Sequence, residues 1–209
     1  GAWAEVPEAK RILDIGCGTG VIAIMMAQRN EEAQVDAVEI DEETCTQASA
    51  NMESSPFAER LTTHQLSIQE FARTQVIEYD LIICNPPFFT GGALSAQAGR
   101  NSVRHTIKLP HNELLIAVRK LLSKRGKFAV ILPLIEGLRF KELASQYHLY
   151  CTRQTEVKPT PEKGIERLLL QFEYEEKPTE QSELIIAKDG DRTYTDAYRN
   201  LTEDFYLNF

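Results

Sequence analysis

The 209-residue sequence contains no apolar run approaching the roughly 20 residues that cross a bilayer, and nothing near its start reads as a secretory signal. A membrane-bound or exported protein is therefore not expected. Cysteine is sparse: Cys17, Cys45, Cys84 and Cys151 are widely spaced, with no C-x-x-C pair and no histidine at zinc-ligand spacing. This excludes a disulfide framework, points away from a bound metal, and reads as reduced, mostly buried thiols in a cytoplasmic protein. Positive charge is also in deficit, with 23 Lys and Arg against 31 Asp and Glu, a net charge of −8. Bulk electrostatics thus cannot coat nucleic acid, and any such partner must be held by local patches. Internal repeats and low-complexity segments are absent as well. One domain spanning residues 1–209 and acting as a monomer is expected. Because the chain opens at Gly1 without methionine, it is also expected to lack an N-terminal segment.

What is there alternates short apolar runs with helical stretches, the pattern of a doubly wound α/β sheet. "RILDIG" (11–16) leads through a glycine-rich turn into a helix over "VIAIMMAQRN". "QVDAVEI" (34–40) precedes a helix over about 42–54, and "RLTTHQLSI" (60–68) and "YDLIICN" (79–85) follow. A helix is expected over 111–123, then the strand "KFAVILP" (127–133), introduced by a turn at Gly126. After a helix near 136–146, the short polar link between "CTRQTEVKP" and "GIERLLLQFEYEE" predicts an antiparallel return, and "SELIIAK" closes the pattern.

"LDIGCGTG" sets Gly16, Gly18 and Gly20 between a strand and a helix, where glycine permits positive φ and close approach of a ligand to the backbone. The dinucleotide spacing G-x-G-x-x-G would need glycine at position 21, which is Val21, so NAD is disfavoured. Asp14 ends a buried strand, where an ionised carboxylate is costly without a partner, and Glu39 ends the next strand, where such folds receive ribose hydroxyls. The competing reading has Asp14 capping the helix and Glu39 solvated. With these residues in view, the chain resembles the class I S-adenosylmethionine-dependent methyltransferases from about Arg11 to Pro133. That resemblance implies a Rossmann-like, seven-stranded sheet, mostly parallel with an antiparallel strand near the C-terminus. It also implies S-adenosylmethionine as methyl donor, held by Asp14, Gly16, Cys17, Gly18, Gly20, Glu39, Ile40 and Asn85. Relatives commonly place an Asp against the donor's adenine after the third strand; here the chain reads "LSIQ", so Ser67 and Ile68 are carried over.

Two consecutive prolines end "LIICNPPF", and because proline lacks an N–H and restricts its predecessor, the strand must stop at Asn85. In a sheet ordered 3-2-1-4-5, that end shares a crevice with the glycine loop. In isolation such a motif is also compatible with a rigid turn and a buried phenylalanine. "NPPF" resembles the signature of methyltransferases that act on amines conjugated to a ring or carbonyl, which implies catalytic roles for Asn85, Pro86, Pro87 and Phe88. The Asn85 amide oxygen and the Pro86 carbonyl would accept the amine's two N–H groups, Pro87 would stiffen the unit, and Phe88 would stack on an extruded base.

"GAWAEV", "RHTIKLPHNELL" and "YTDAYRNLTEDFYL" extend the likeness over nearly the whole chain to the bacterial tRNA1(Val) adenine N6-methyltransferases, which modify adenosine 37, 3′ of the anticodon. The implied partner is tRNA. Arg100, Arg104, His105 and Lys108, in the connection after "NPPF", are the candidate RNA contacts, whereas the basic run from Arg119 to Lys127 reads as a solvated face. The alternatives are methylation of rRNA guanine N2 or of protein glutamine, or a donor-binding scaffold without activity.

Overall fold

The computed structural model describes residues 1–6, 8–86, 109–188 and 193–207. β1 (Arg11–Ile15), α1 (Val21–Arg29), β2 (Gln34–Glu39), α2 (Glu42–Glu53), β3 (Leu61–Gln65), α3 (Ile68–Thr74), β4 (Tyr79–Cys84), α4 (His111–Leu121) and β5 (Leu122–Pro133) build the parallel half. α5 (Leu134–Gln146), β6 (Tyr150–Lys158), β7 (Arg167–Glu173), β8 (Glu180–Ile185) and α6 (Asp196–Thr202) follow. The sheet order is β3-β2-β1-β4-β5-β7-β6-β8. β7 opposes both of its neighbours, while β8 runs parallel to β6.

Period-two alternation decides which helices cover which face. Ile12, Leu81, Ile83 and Ala129 point to the side packed by Ala23 and Met26 of α1 and Ala48 and Met52 of α2. Leu13, Ile15, Ile82, Phe128 and Val130 point to the other side, against Phe71, Leu114, Val118 and Phe140. The helices therefore lie on both faces, and the carboxyl ends of β1 and β4 lie side by side, with α1 packed on one face and α4 on the other.

The structure departs from the sequence expectation at three places. The sheet has eight strands among the described residues rather than seven, because Glu180–Ile185 adds an edge strand to β6. A hydroxyl contact between Thr155 and Ser182 (2.7 Å) and a Lys158–Glu183 ion pair support that edge. β5 also begins at Leu122, straight out of α4, instead of after a turn at Gly126. Its pairing with β4 slips between Tyr79 and Leu81, and an added Cβ at Gly126 would lie 2.8 Å from the Tyr79 carbonyl oxygen. Glycine there permits close backbone approach rather than a turn. The third departure is α3, which the sequence reading left out: Ser67 Oγ accepts from the Glu70 N–H while the Glu70 carboxylate accepts from the Ser67 N–H, a reciprocal cap.

Candidate active site

The glycine loop lies over the end of β2. Gly16 and Cys17 both donate their N–H groups to the Val38 carbonyl (2.9 and 3.1 Å), and Asn51 of α2 donates to the Thr19 carbonyl (2.9 Å). Gly16, Gly18 and Gly20 have φ of 67°, 56° and 83°, the left-handed region that favours glycine. Their surroundings differ. A Cβ on Gly20 would meet the Met52 side chain at 2.9 Å, whereas one on Gly16 or Gly18 would meet nothing within 4 Å. Gly20 therefore serves packing against α2, and the backbone at Gly16 and Gly18 faces open space.

That space is a cleft of about 910 Å³. It is lined by Gly16, Gly18, Glu39, Ile40, Ser67, Ile68, Asn85 and Pro86, which brings candidate donor-binding and catalytic residues from β1, β2, α3 and β4 to one place. Glu39 is tied to the loops: Oε2 accepts from the Gly18 N–H (3.0 Å), and Oε1 accepts from the Ile40 and Asp41 N–H groups (2.8 and 3.0 Å). Asn85 is exposed immediately after β4, beside buried Pro86.

Asp14, Cys17 and Gly20 do not line this cleft. Asp14 is fully buried, and neither carboxyl oxygen meets a donor at hydrogen-bond geometry. Burial raises its pKa to about 7, opposed by the charge of the Gly1 ammonium and by the Ala23 N–H and reinforced by the charge of Glu39. Cys17 is likewise buried, its thiol pKa pushed well up by desolvation. Ser67 reaches the cleft with its hydroxyl already donated to Glu70 Oε2 (2.5 Å), so the residue that stands in place of an adenine-facing acid is engaged in capping α3. Pro87, Phe88, Arg100, Arg104, His105 and Lys108 lie outside the described residues.

The sequence reading did not foresee several lining residues. Leu66, Gln69, Glu70 and Arg73 arrive with α3, and the pattern S-x-x-E at 67–70 was a local signal that could have placed them. Leu109 and Glu113 come from the α4 side and carry no local signal; tertiary packing of α4 beside α3 brings them in. Gln69 Nε2 donates to Glu113 Oε2, bridging the two helices along the cleft wall.

An open glycine backbone, an acid at the end of β2 and no anion-binding spacing suit a nucleoside with a cationic tail, so the residues present fit S-adenosylmethionine. Comparison with known proteins agrees. Residues 4–131 match the family described as the methyltransferase small domain. A tRNA1(Val) (adenine(37)-N6)-methyltransferase of Yersinia pestis (strain Pestoides F) is 38% identical over 210 aligned residues, covering 100% of this chain and 84% of the relative. Among solved structures, an Agrobacterium tumefaciens protein described as a predicted O-methyltransferase superposes with a TM-score of 0.73 at 16% identity, covering 96% of this chain and 91% of that one. A glycopeptide N-methyltransferase in complex with S-adenosyl-L-methionine gives 0.60 at 11% identity, with coverages of 81% and 89%; at such identities the likeness speaks for the fold alone. The chain belongs to the methyltransferase small domain family and to the family of tRNA1(Val) (adenine(37)-N6)-methyltransferases.

Proposed function

We propose that the chain methylates the N6 amine of adenosine 37 in tRNA1(Val), using S-adenosylmethionine. The observation that carries this reading is the presence of Asn85 and Pro86 on the wall of the same cleft as Gly16, Gly18 and Glu39. When bound, the donor supplies an electrophilic methyl group on a cationic sulfur. An exocyclic amine gives its lone pair to the ring and becomes a good nucleophile only when acceptors hold its N–H groups. The Asn85 amide oxygen and the Pro86 carbonyl are the acceptors, fixed where β4 ends and proline prevents the strand from continuing. Pro87 and Phe88 complete the unit in this reading, as a stiffener and a stacking face for the flipped base. Gly16 and Gly18 admit the donor against bare backbone, and Glu39, held by three N–H groups, keeps acceptor capacity for ribose hydroxyls. Cys17, Gly20 and buried Asp14 support the loop from behind, while Ile40, Ser67 and Ile68 flank the nucleoside.

RNA engagement is assigned to Arg100, Arg104, His105 and Lys108, a local positive cluster in a chain of net charge −8. An anticodon-loop base can be extruded at lower cost than a paired one, which suits adenosine 37. The work is assigned to the cytoplasm; among the described residues no helix is long and apolar enough to cross a membrane. Labelled methyl transfer with an anticodon stem-loop, a full tRNA and a glutamine-containing peptide as competing acceptors tests the substrate. Label in RNA is expected. Label confined to the peptide would overturn the reading in favour of glutamine.

A further inference from the structure

The donor's adenine carries an exocyclic amine whose two N–H groups need acceptors when the base leaves water. Four carboxylates line the cleft: Glu39, Asp41, Glu70 and Glu113. Glu39 is engaged by the Gly18, Ile40 and Asp41 N–H groups, and Asp41 Oδ1 caps α2 by accepting from the Thr44 N–H and hydroxyl (2.9 and 2.6 Å). Glu70 is exposed and its carboxylate closes the cap at Ser67, so water competes for whatever acceptor capacity remains. Glu113 differs. It is half-buried, its Oε2 is fixed by the Gln69 amide, and its Oε1 has no partner among the described residues.

The apolar residues of the same cleft suit a flat base. Ile40 and Leu66 line the cleft and leave 42% and 38% of their surfaces exposed, apolar area that a ring would cover. Ile68 and Leu109 line the same cleft as Glu113. We infer that Glu113, carried on α4 and oriented by Gln69, is the specificity-determining acceptor for the donor's adenine amine, a charged acceptor where Ser67 is neutral and its Oγ already accepts from the Glu70 N–H. This rests on the proposed use of S-adenosylmethionine and adds which side chain selects adenine over an oxo-purine. The base would be recognised by the first turn of α4 rather than by the strand end that precedes α3.

The test compares S-adenosylhomocysteine with S-inosylhomocysteine, which replaces the amine by a carbonyl oxygen and so turns attraction to a carboxylate into repulsion. Calorimetric titration of the wild-type chain should favour the adenosyl compound by about tenfold to a hundredfold, the usual range for one hydrogen bond to a charged group. Glu113→Gln, whose amide can donate to the oxo group, should reduce that ratio at least about tenfold. Gln69→Ala should reduce it less, and Glu70→Gln should leave it unchanged. Melting temperatures without ligand identify any variant that fails to fold, and Glu113→Gln is close in shape to the wild type. An unchanged ratio in Glu113→Gln, or a collapse seen in Glu70→Gln instead, overturns the assignment. Failure of the wild type to bind either compound would instead overturn the donor itself.

Discussion

In the amino half of the central strands, carboxylates tie strand to strand; at the carboxyl ends Glu39 ties loop backbone instead and Asp14 lies buried without a donor at hydrogen-bond geometry. Asp80 Oδ2 accepts from the Lys10 and Arg11 N–H groups (2.9 and 3.1 Å), and its Oδ1 accepts from the Ser123 hydroxyl (3.4 Å). Asp36 accepts from the buried Tyr79 hydroxyl (2.9 Å) and pairs with His64 Nε2 (2.6 Å), whose ring lies 4.9 Å from Phe71. These groups staple β1, β2, β3, β4 and β5 to one another. At the other end Asp14 has no donor at hydrogen-bond geometry, and Glu39 spends three acceptor sites on loop backbone out of the about four that a carboxylate offers. A carboxylate that holds a fold together is satisfied within the fold. Glu39, on the cleft wall, keeps acceptor capacity for a ligand, whereas Asp14, behind the loop, bears the cost of burial without reaching the cleft.

The comparison is broken most severely at Asn85. Asn85→Ala should lower turnover by about 100-fold to 1,000-fold, as for loss of one preorganised transition-state contact. Affinity for S-adenosylhomocysteine should change little, and equal losses in both would make Asn85 structural. Asp14 gives the next effect. Its folded pKa of about 7 lies above the ordinary carboxylate value, so at intermediate pH the folded chain keeps a proton that the unfolded chain has lost. Stability should therefore fall as pH rises from about 4 to about 7 and level off above. Urea denaturation at pH 5 and pH 8 should show Asp14→Asn flattening that limb, with a gain at pH 8 on the order of 1–4 kcal/mol. The same slope in both proteins would assign the titration elsewhere.

Much of this contrast is legible in the residues. "LDIGCGTG" and the strand-ending prolines announce a crevice because glycine and proline act locally, and β1, β2 and β4 read cleanly because their apolar runs are fully sheltered by helices. The run "SELIIAK" is legible, but its place is not: the strand starts in polar residues at Glu180 and forms an exposed edge whose pairing depends on β6 alone, which raises the strand number to eight. The start of β5 could not be read because a helix passes into a strand with no intervening loop. Glu113 is invisible for a different reason. It sits in the first turn of α4, where an acid commonly complements the helix dipole, and only packing beside α3 turns it into a cleft residue.

Glu39 and Tyr79 sharpen the comparison with smaller effects. Glu39→Ala should weaken S-adenosylhomocysteine binding by about 1–3 kcal/mol, measured by calorimetry. An unchanged affinity would class Glu39 with Asp80 as a staple. Tyr79→Phe should cost about 1 kcal/mol of stability by removing the hydroxyl donor to Asp36, with donor affinity intact. A loss of affinity there would mean that the two halves of the sheet are coupled.

Mass spectrometry of nucleosides is the most direct measurement, made on unmodified tRNA after incubation with S-adenosylmethionine and either the wild-type chain or Asn85→Ala. The wild type should produce N6-methyladenosine at position 37 and no other new methylated nucleoside, and the variant should produce little while still binding S-adenosylhomocysteine. A methyl group on guanine, or RNA left unmodified by a chain that binds the donor, would contradict the account.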